Sequence, residues 1–410
     1  MRILQVNKFY YLRGGAEKYL LAISQALEEQ GHKVAIFAME HPRNLPSPHT
    51  KYFVSRVSFS EPGLGNKLKA GRRIFWSREA ARKFEKLIKD FRPDVIHFHN
   101  IYHHLSPSIL KIAKRYQIPM IMHLHDYKLI CPNYQLFTQG KYCERCRDRN
   151  YSHCTEYRCL KDSYAKSLLA SLEMFYHHSW LKIYEKDLDR LIAPSRFIKD
   201  TFVRFGWPET KISQIYNFSE KKYLEAPLKP AGDYLLYLGR LAPEKGLSLL
   251  FEALKESGHK LKIAGEGPER KELETLVKTL ILKDQIEFVG FKSGSDLENL
   301  IAGAKAIVIP SIWPENMPFS LLEAMARGKA VIAAKVGGLS ELIKDKENGF
   351  SFTAGSSASL RAAIDQLDHS DLETIGLKAR EAVAGLELGN HLSRILAIYK
   401  ELIAKKQAVR

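Results

Sequence analysis

Acidic residues are the first shortage in this chain. Its 410 residues include 46 Asp and Glu against 63 Lys and Arg, which leaves a formal net charge of +17. Such an excess favours anionic partners: phosphorylated substrates, nucleic acid or an acidic membrane surface. Charge alone does not choose among them. Long apolar runs are also missing. No stretch approaches the roughly 20 uninterrupted apolar residues of a membrane span. The opening MRILQVNKFYYLRGG has a single Arg before a strand-length run and lacks the apolar core of a secretory signal. The expectation is a cytoplasmic protein made in mature form. Cysteine is scarce, at five residues, and no His-x-x-x-His pattern falls on a helix. A helical metalloenzyme motif is therefore absent.

What is present is an ordinary globular composition, 45% hydrophobic and 27% charged. The length suits two domains of about 200 residues each. Strand-length apolar runs alternate with helical periods from the start. Residues 3–6 and 34–38 read as strands around a helix carrying Ala16, Leu20, Ile23 and Leu27, with Gly14-Gly15 at its mouth. Paired glycines there let a phosphate or acceptor approach backbone N–H groups closely. Further strands follow at 95–99, 120–124, 191–193 and 212–217, and a second series begins at 234. Repeated βαβ units predict parallel sheets covered by helices, an α/β fold. The charged, Pro-bearing run 219–233 is the expected linker. The domains are then residues 1–217 and 218–385, with a final helix in 386–410.

Residues 307–334, IVIPSIWPENMPFSLLEAMARGKAVIAA, organise the second half. A buried parallel strand ends at Pro310, a loop carries Glu315, a helix runs from about 319 to 327, and Gly328 stops it. Ligand crevices in open α/β sheets form at such strand ends. The helix mouth at Phe319 and Ser320 offers free N–H groups and a positive dipole end to an anionic diphosphate. Glu315 and Glu323, eight positions apart, could each accept two sugar hydroxyls through charge-assisted bonds. The same carboxylates also fit a plainer reading, a solvated loop residue and an acid near a helix N-terminus. Arg240 and Lys245 follow the strand at 234–238 and precede a helix. Two fixed cations plus a helix mouth would neutralise a diphosphate without a metal, although ordinary surface cations look alike. Gly265-Glu-Gly267-Pro268 lacks the third glycine of a dinucleotide fingerprint.

Four features remain. His97, His99, His123 and His125 lie pairwise on strand faces near Asp126, and metal binding or polar strand-end roles are both open. Residues 131–159 break the pattern with Cys143-x-x-Cys146, Cys154 and Cys159. Four thiolates can close a structural zinc site and fix a loop without its own core. The second gap of four residues departs from the usual two, and disulfides are the alternative, opposed by the missing export signal. Cys131 is left over and expected to be buried. Residues 162–189 read as one long helical region with an apolar face of Phe175, Tyr176 and Trp180, ending in a solvated Asp187-x-Asp189 pair. Lys67, Lys69, Arg72, Arg73, Phe75, Trp76, Arg78, Arg82 and Lys83 interleave cations with aromatics. This fits an interfacial helix on an anionic membrane, or a solvated helix with its aromatics inside.

The run PENMPFSLLEAMARGKAVIA, followed by Gly337-Gly338 and Glu341, resembles the signature of the family 4 retaining glycosyltransferases. The resemblance extends over nearly the whole chain. It implies a GT-B fold: two Rossmann-like domains facing a cleft, with the last helix crossing back to the first domain. It implies sugar transfer from a nucleotide diphosphate sugar, of UDP or GDP type, to a saccharide or lipid-linked acceptor, with retention. Residue by residue, it assigns His125 to orienting the sugar, and Arg240 and Lys245 to the leaving diphosphate. Glu323 would take the ribose, Glu315 the sugar's outer hydroxyls, and the Phe319–Ser320 backbone the phosphate. Gly14-Gly15 would line the donor site and Phe291 would lie beside the base. Cysteine-bearing insertions in such proteins border the acceptor side. Two rivals stay open: a sugar-nucleotide epimerase of the same architecture, and a basic nucleic-acid binder, against which no recognised nucleic-acid module appears.

Overall fold

The structure, a computed structural model, describes residues 1–57, 71 and 73–408. Lys67, Lys69 and Arg72 of the expected basic helix lie outside the described residues. Of the described remainder of that run, Arg73 and Ile74 turn inward, while Trp76, Arg78 and Arg82 are exposed. Arg73 is buried against Glu79 at 2.6 Å, Ile74 is buried, and Ser77 caps a new helix, Arg78–Phe91.

Six parallel strands form the first sheet: β1 (Arg2–Val6), β2 (Lys33–Phe37), β3 (Val95–Phe98), β4 (Met120–His123), β5 (Arg190–Ala193) and β6 (Ile212–Gln214). Their spatial order is β2-β1-β3-β4-β5-β6. The second sheet holds β7 (Tyr234–Leu238), β8 (Lys260–Ala264), β9 (Ile286–Gly290), β10 (Ala304–Ile309), β11 (Ala330–Ala334) and β12 (Phe350–Phe352), ordered β9-β8-β7-β10-β11-β12. All these pairings are parallel. The near-continuous apolar runs follow, because helices cover both faces and leave almost no strand position in water. In each sheet the order reverses beside the first strand of the series, and a crevice opens at the carboxyl ends there.

Helix α1 (Gly15–Glu29) buries Tyr19, Leu20, Ile23 and Leu27 on the first sheet. The same face receives the last helix, α5 (Leu388–Ala408). Its Leu392, Ile395, Ile398, Tyr399 and Leu402 pack with Ile3, Ile23, Val95, Ile121 and Ile192. Although α5 follows the second sheet in sequence, it belongs to the first sheet's core. Tyr399 also bonds the buried His97, hydroxyl to Nδ1, at 2.6 Å.

Two expectations need correction. Residues 162–189 are not one helix. Helix α2 (Tyr164–Met174) gives way to a π-helical turn over Phe175–Trp180, and left-handed Lys182 (φ 49°) separates it from Ile183–Asp187. The face of Phe175 and Trp180 points to solvent. Asp187 is not solvated either: it is buried, with Lys111 at 2.8 Å and Lys114 at 2.7 Å. Burial of a carboxylate requires such partners, and the lysines of the neighbouring helix supply them.

Replacing Tyr399 with Phe removes the partner of a buried ring nitrogen while keeping the packing. The Tyr399→Phe protein should lose about 1–3 kcal/mol in urea unfolding. An unchanged midpoint and slope would show that the bond holds nothing in place.

Candidate active site

The site is built on the loop 310–318 between β10 and helix α4 (Phe319–Ala326). Glu315, in the loop, is buried and receives Lys245 Nζ at 2.5 Å and Ser311 Oγ at 2.6 Å, both on Oε1. Lys245 comes from the turn after β7, and close approach brings it there. Gly246 has φ +70°, and a Cβ on it would stand 2.1 Å from the Pro310 carbonyl oxygen, so only glycine lets the two loops touch. Gly338 does the same from the other side. Its N–H donates to the Glu315 carbonyl at 2.7 Å, and a Cβ there would lie 1.6 Å from the Asn316 carbonyl oxygen. Arg240 pairs with Glu244 at 2.5 Å, and Glu244 in turn accepts the Ile312 N–H through its carbonyl. Arg240 remains more than half exposed; Lys245 is largely covered.

The first domain closes over this loop. Lys18, one turn into α1, forms an ion pair with Glu323, and its ammonium stands 5.4 Å from the Phe319 ring centroid. A Cβ on Gly15 would touch that ring at 3.6 Å. The Tyr127 hydroxyl donates to the Pro314 carbonyl at 2.8 Å. Glu341 accepts the N–H groups of Arg196 and Phe197, at 2.9 and 2.7 Å, at the start of α3 (Arg196–Arg204). His125 lies at the end of β4, between Leu124 and Tyr127, whose polar atoms reach the Glu315 loop. Arg240, Lys245, Glu315, Phe319, Ser320, Glu323, Gly14 and Gly15 are thus brought to one cleft, with His125 on its first-domain wall. Phe291 follows β9, is 60% exposed and sits on the rim. It connects to the cleft through the adjoining turn, where Gly265 N–H donates to the Gly290 carbonyl at 2.9 Å.

Lys18, Ser311, Glu244 and Tyr127 were not picked out by sequence reasoning. Lys18 had a signal, its position one turn beyond Gly14-Gly15 at the helix mouth. The others act by contacts between loops distant in sequence. A further difference is electrostatic: Arg240 and Lys245 are not bare cations, since each carries a carboxylate partner.

The histidines surround Tyr19. The rings of His97, His99, His123, His125 and His391 have centroids 4.1–6.3 Å from its ring. His125 Nε2 shares a hydrogen bond with His99 Nδ1 at 2.9 Å, and His391 Nε2 meets the Tyr19 hydroxyl at 2.8 Å. Burial pushes His97 and His125 down to about 3 and His391 to about 4. All five cysteines are free thiols, and Cys131, Cys143, Cys146, Cys154 and Cys159 line one small cavity. Cys131 is buried, as expected. Among the described residues no three His, Cys, Asp or Glu side chains are arranged to hold a metal ion. The four expected zinc ligands are neighbours around this one cavity.

Two Rossmann-like sheets facing a polar cleft, with a helix returning to the first, define a GT-B fold. Comparison with known proteins agrees. The family model described as "Glycosyl transferases group 1" matches residues 220–382, and that described as "Glycosyltransferase Family 4" matches residues 13–219. An uncharacterised glycosyltransferase of Methanocaldococcus jannaschii is 32% identical over 379 residues, 85% of this chain and 84% of that one. The amylovoran biosynthesis glycosyltransferase AmsK of Erwinia amylovora is 27% identical over 251 residues, 55% of this chain and 60% of that one. The crystal structure of Anabaena HepE in complex with UDP and glucose superposes with a TM-score of 0.70 at 20% identity, over 98% of this chain and all of that one. The chain belongs to the group 1 glycosyltransferases.

The depressed histidines give a pH prediction. Near pH 6.5 and below, the unfolded chain takes up protons that native His97 and His391 refuse until about 3 and about 4. Stability should therefore be independent of these groups above that range and fall on acidification. Each contributes a slope of about 1.4 kcal/mol per pH unit. Urea midpoints at about pH 7 and about pH 5 test this, and a higher midpoint at the acid end would contradict the burial argument.

Proposed function

We propose that the protein transfers a sugar from a nucleotide diphosphate sugar, UDP- or GDP-linked, to a growing glycan or lipid-linked saccharide, with retention and without a catalytic metal. The observation that carries this reading is the gathering of Arg240, Lys245, Glu315, Glu323 and the α4 mouth at the carboxyl edge of the second sheet. That edge faces the mouth of α1. The HepE complex with UDP and glucose supports the donor class, and AmsK, named for amylovoran synthesis, supports a glycan acceptor.

In this reading Arg240 and Lys245 hold the leaving diphosphate and absorb its charge as the glycosidic bond breaks, aided by the Phe319 and Ser320 N–H groups. An ammonium has three N–H donors, so Lys245 can keep Glu315 and reach a phosphate oxygen at once. Glu323 takes the ribose hydroxyls and Glu315 the outer hydroxyls of the sugar, while Phe291 borders the base. Gly14 is extended, and a Cβ on Gly15 would make only ordinary contact. The fold does not need glycine there, and the room serves the donor. His125, neutral at working pH, orients a sugar hydroxyl through Nδ1, the nitrogen that His99 leaves for it. Glu315 and Glu323 are held by lysines, an arrangement suited to gripping hydroxyls more than to covalent attack. Retention then follows from a front-face departure, in which diphosphate and incoming hydroxyl share one side of the sugar.

Nucleoside diphosphate release, measured across a panel of UDP- and GDP-sugars with saccharide acceptors, identifies the donor. With that donor, Lys245→Ala should lose about 2–4 kcal/mol of transition-state stabilisation, a fall in kcat of about 30- to 900-fold. Unchanged turnover would remove Lys245 from the site. Conversion of the donor to an isomer in the absence of acceptor would replace transfer with epimerisation.

A further inference from the structure

Helix α2 is amphipathic in the reverse sense. Its buried positions are Ser167, Ala170, Ser171, Glu173 and Met174, with Glu173 held by Lys128 at 2.5 Å and by His177 at 2.8 Å. Its outward face carries Tyr164, Leu168, Leu172 and Phe175, spaced four, four and three residues apart, which is one stripe along a helix. These are 60%, 38%, 51% and 54% exposed, and beyond them Trp180 is 71% exposed. The patch continues onto the segment that precedes the helix Arg78–Phe91. Phe75 packs edge-on against Tyr176 at 5.7 Å, and the next residue, Trp76, is also exposed. A helix that gives its buried positions to Ser and Glu, and its exposed ones to Leu, Phe and Trp, is shaped for something outside the chain.

We propose that this face docks on an anionic lipid surface, with α2 lying in the plane of the headgroups. The ends of the stripe are cationic: Lys161 at one end and Lys182 at the other, both exposed, with Asp162 as the only exposed acid between residues 161 and 182. Tyr164 and Trp180 sit at the two ends, where amphipathic rings favour the boundary between acyl chains and water. Cations bordering an apolar helix face match negatively charged headgroups, and the chain's +17 charge draws it to the same surface. A second copy fits less well. In a symmetric pair the lysines at the stripe's ends would meet lysines whether the helices ran parallel or antiparallel. Among the described residues no helix is long and apolar enough to cross a membrane, so the attachment is peripheral.

Flotation of the purified full chain tests this, with phosphatidylglycerol–phosphatidylethanolamine vesicles in one arm and phosphatidylcholine vesicles in the other. The protein should partition to the anionic vesicles at least about tenfold more strongly. Leu172→Ser combined with Phe175→Ser should weaken that binding by about tenfold or more, leaving Tm and donor turnover unchanged. Lys161→Gln and Lys182→Gln should each cost about fivefold on anionic vesicles only. Absence of binding, or equal binding to both lipids, overturns the proposal. So does a solution dimer that the Leu172 and Phe175 double variant converts to monomer by light scattering, which would assign the face to a second copy.

Discussion

The Lys245–Glu315 pair is the contact on which the cleft depends. Both side chains are largely removed from water, and each would be costly to leave there alone. Their pairing fixes the turn after β7 against the loop after β10, the two elements to which the proposal assigns the diphosphate. The same logic repeats at Arg240–Glu244 and Lys18–Glu323. Before any substrate enters, the main cationic groups of the cleft have already been matched. An anionic ligand therefore meets a preorganised set of donors at the cost of sharing them with carboxylates. In the proposed function sugar hydroxyls would take up the carboxylate oxygens as phosphate takes up the cations.

Interdomain contact and ligand contact also share backbone here. The loop 310–318 gives its Pro314 carbonyl to Tyr127 and its Met317 carbonyl to Asn217, at 2.8 Å each. The loop that carries Glu315 is therefore held from the first domain. Glu341, just beyond the Gly337-Gly338 turn, satisfies two of the unpaired N–H groups at the mouth of α3. A motion that opened the cleft would strip these partners one by one, so closure and site geometry are energetically linked.

Much of this was legible in the sequence because parallel strands buried on both faces read as plain apolar runs. The runs before Pro310 and after Gly328 fixed the place of Glu315 and Glu323. The return of α5 was legible only through the family resemblance, since nothing local in 388–408 says which sheet it will meet. The partners Glu244, Ser311 and Tyr127 were hidden for a physical reason: they act through loop–loop contacts, and those have no periodicity. The break in the helix after Met174 was missed because Phe175–Trp180 keeps a helical spacing while its hydrogen bonds widen to the π pattern. Asp187 read as solvated because its two lysines come from residues 111 and 114, on another element.

The histidine wall explains how a strongly basic protein can keep its cleft directional. Burial drives His97, His99, His123 and His125 to the neutral state, and it also lowers the affinity of Lys8 for its proton, against the opposing pull of Glu17 and Asp126. Five protonated imidazoles around Tyr19 would add positive charge on the first-domain side, and a diphosphate would then be attracted to both walls. Kept neutral, the rings offer hydrogen bonds without net charge. In the proposed reading the diphosphate is then left to Arg240, Lys245 and the α4 mouth, and the sugar end of the donor to the side where His125 stands. On that proposal the position of the leaving group depends on where the protein allows charge to persist, as much as on where it places cations.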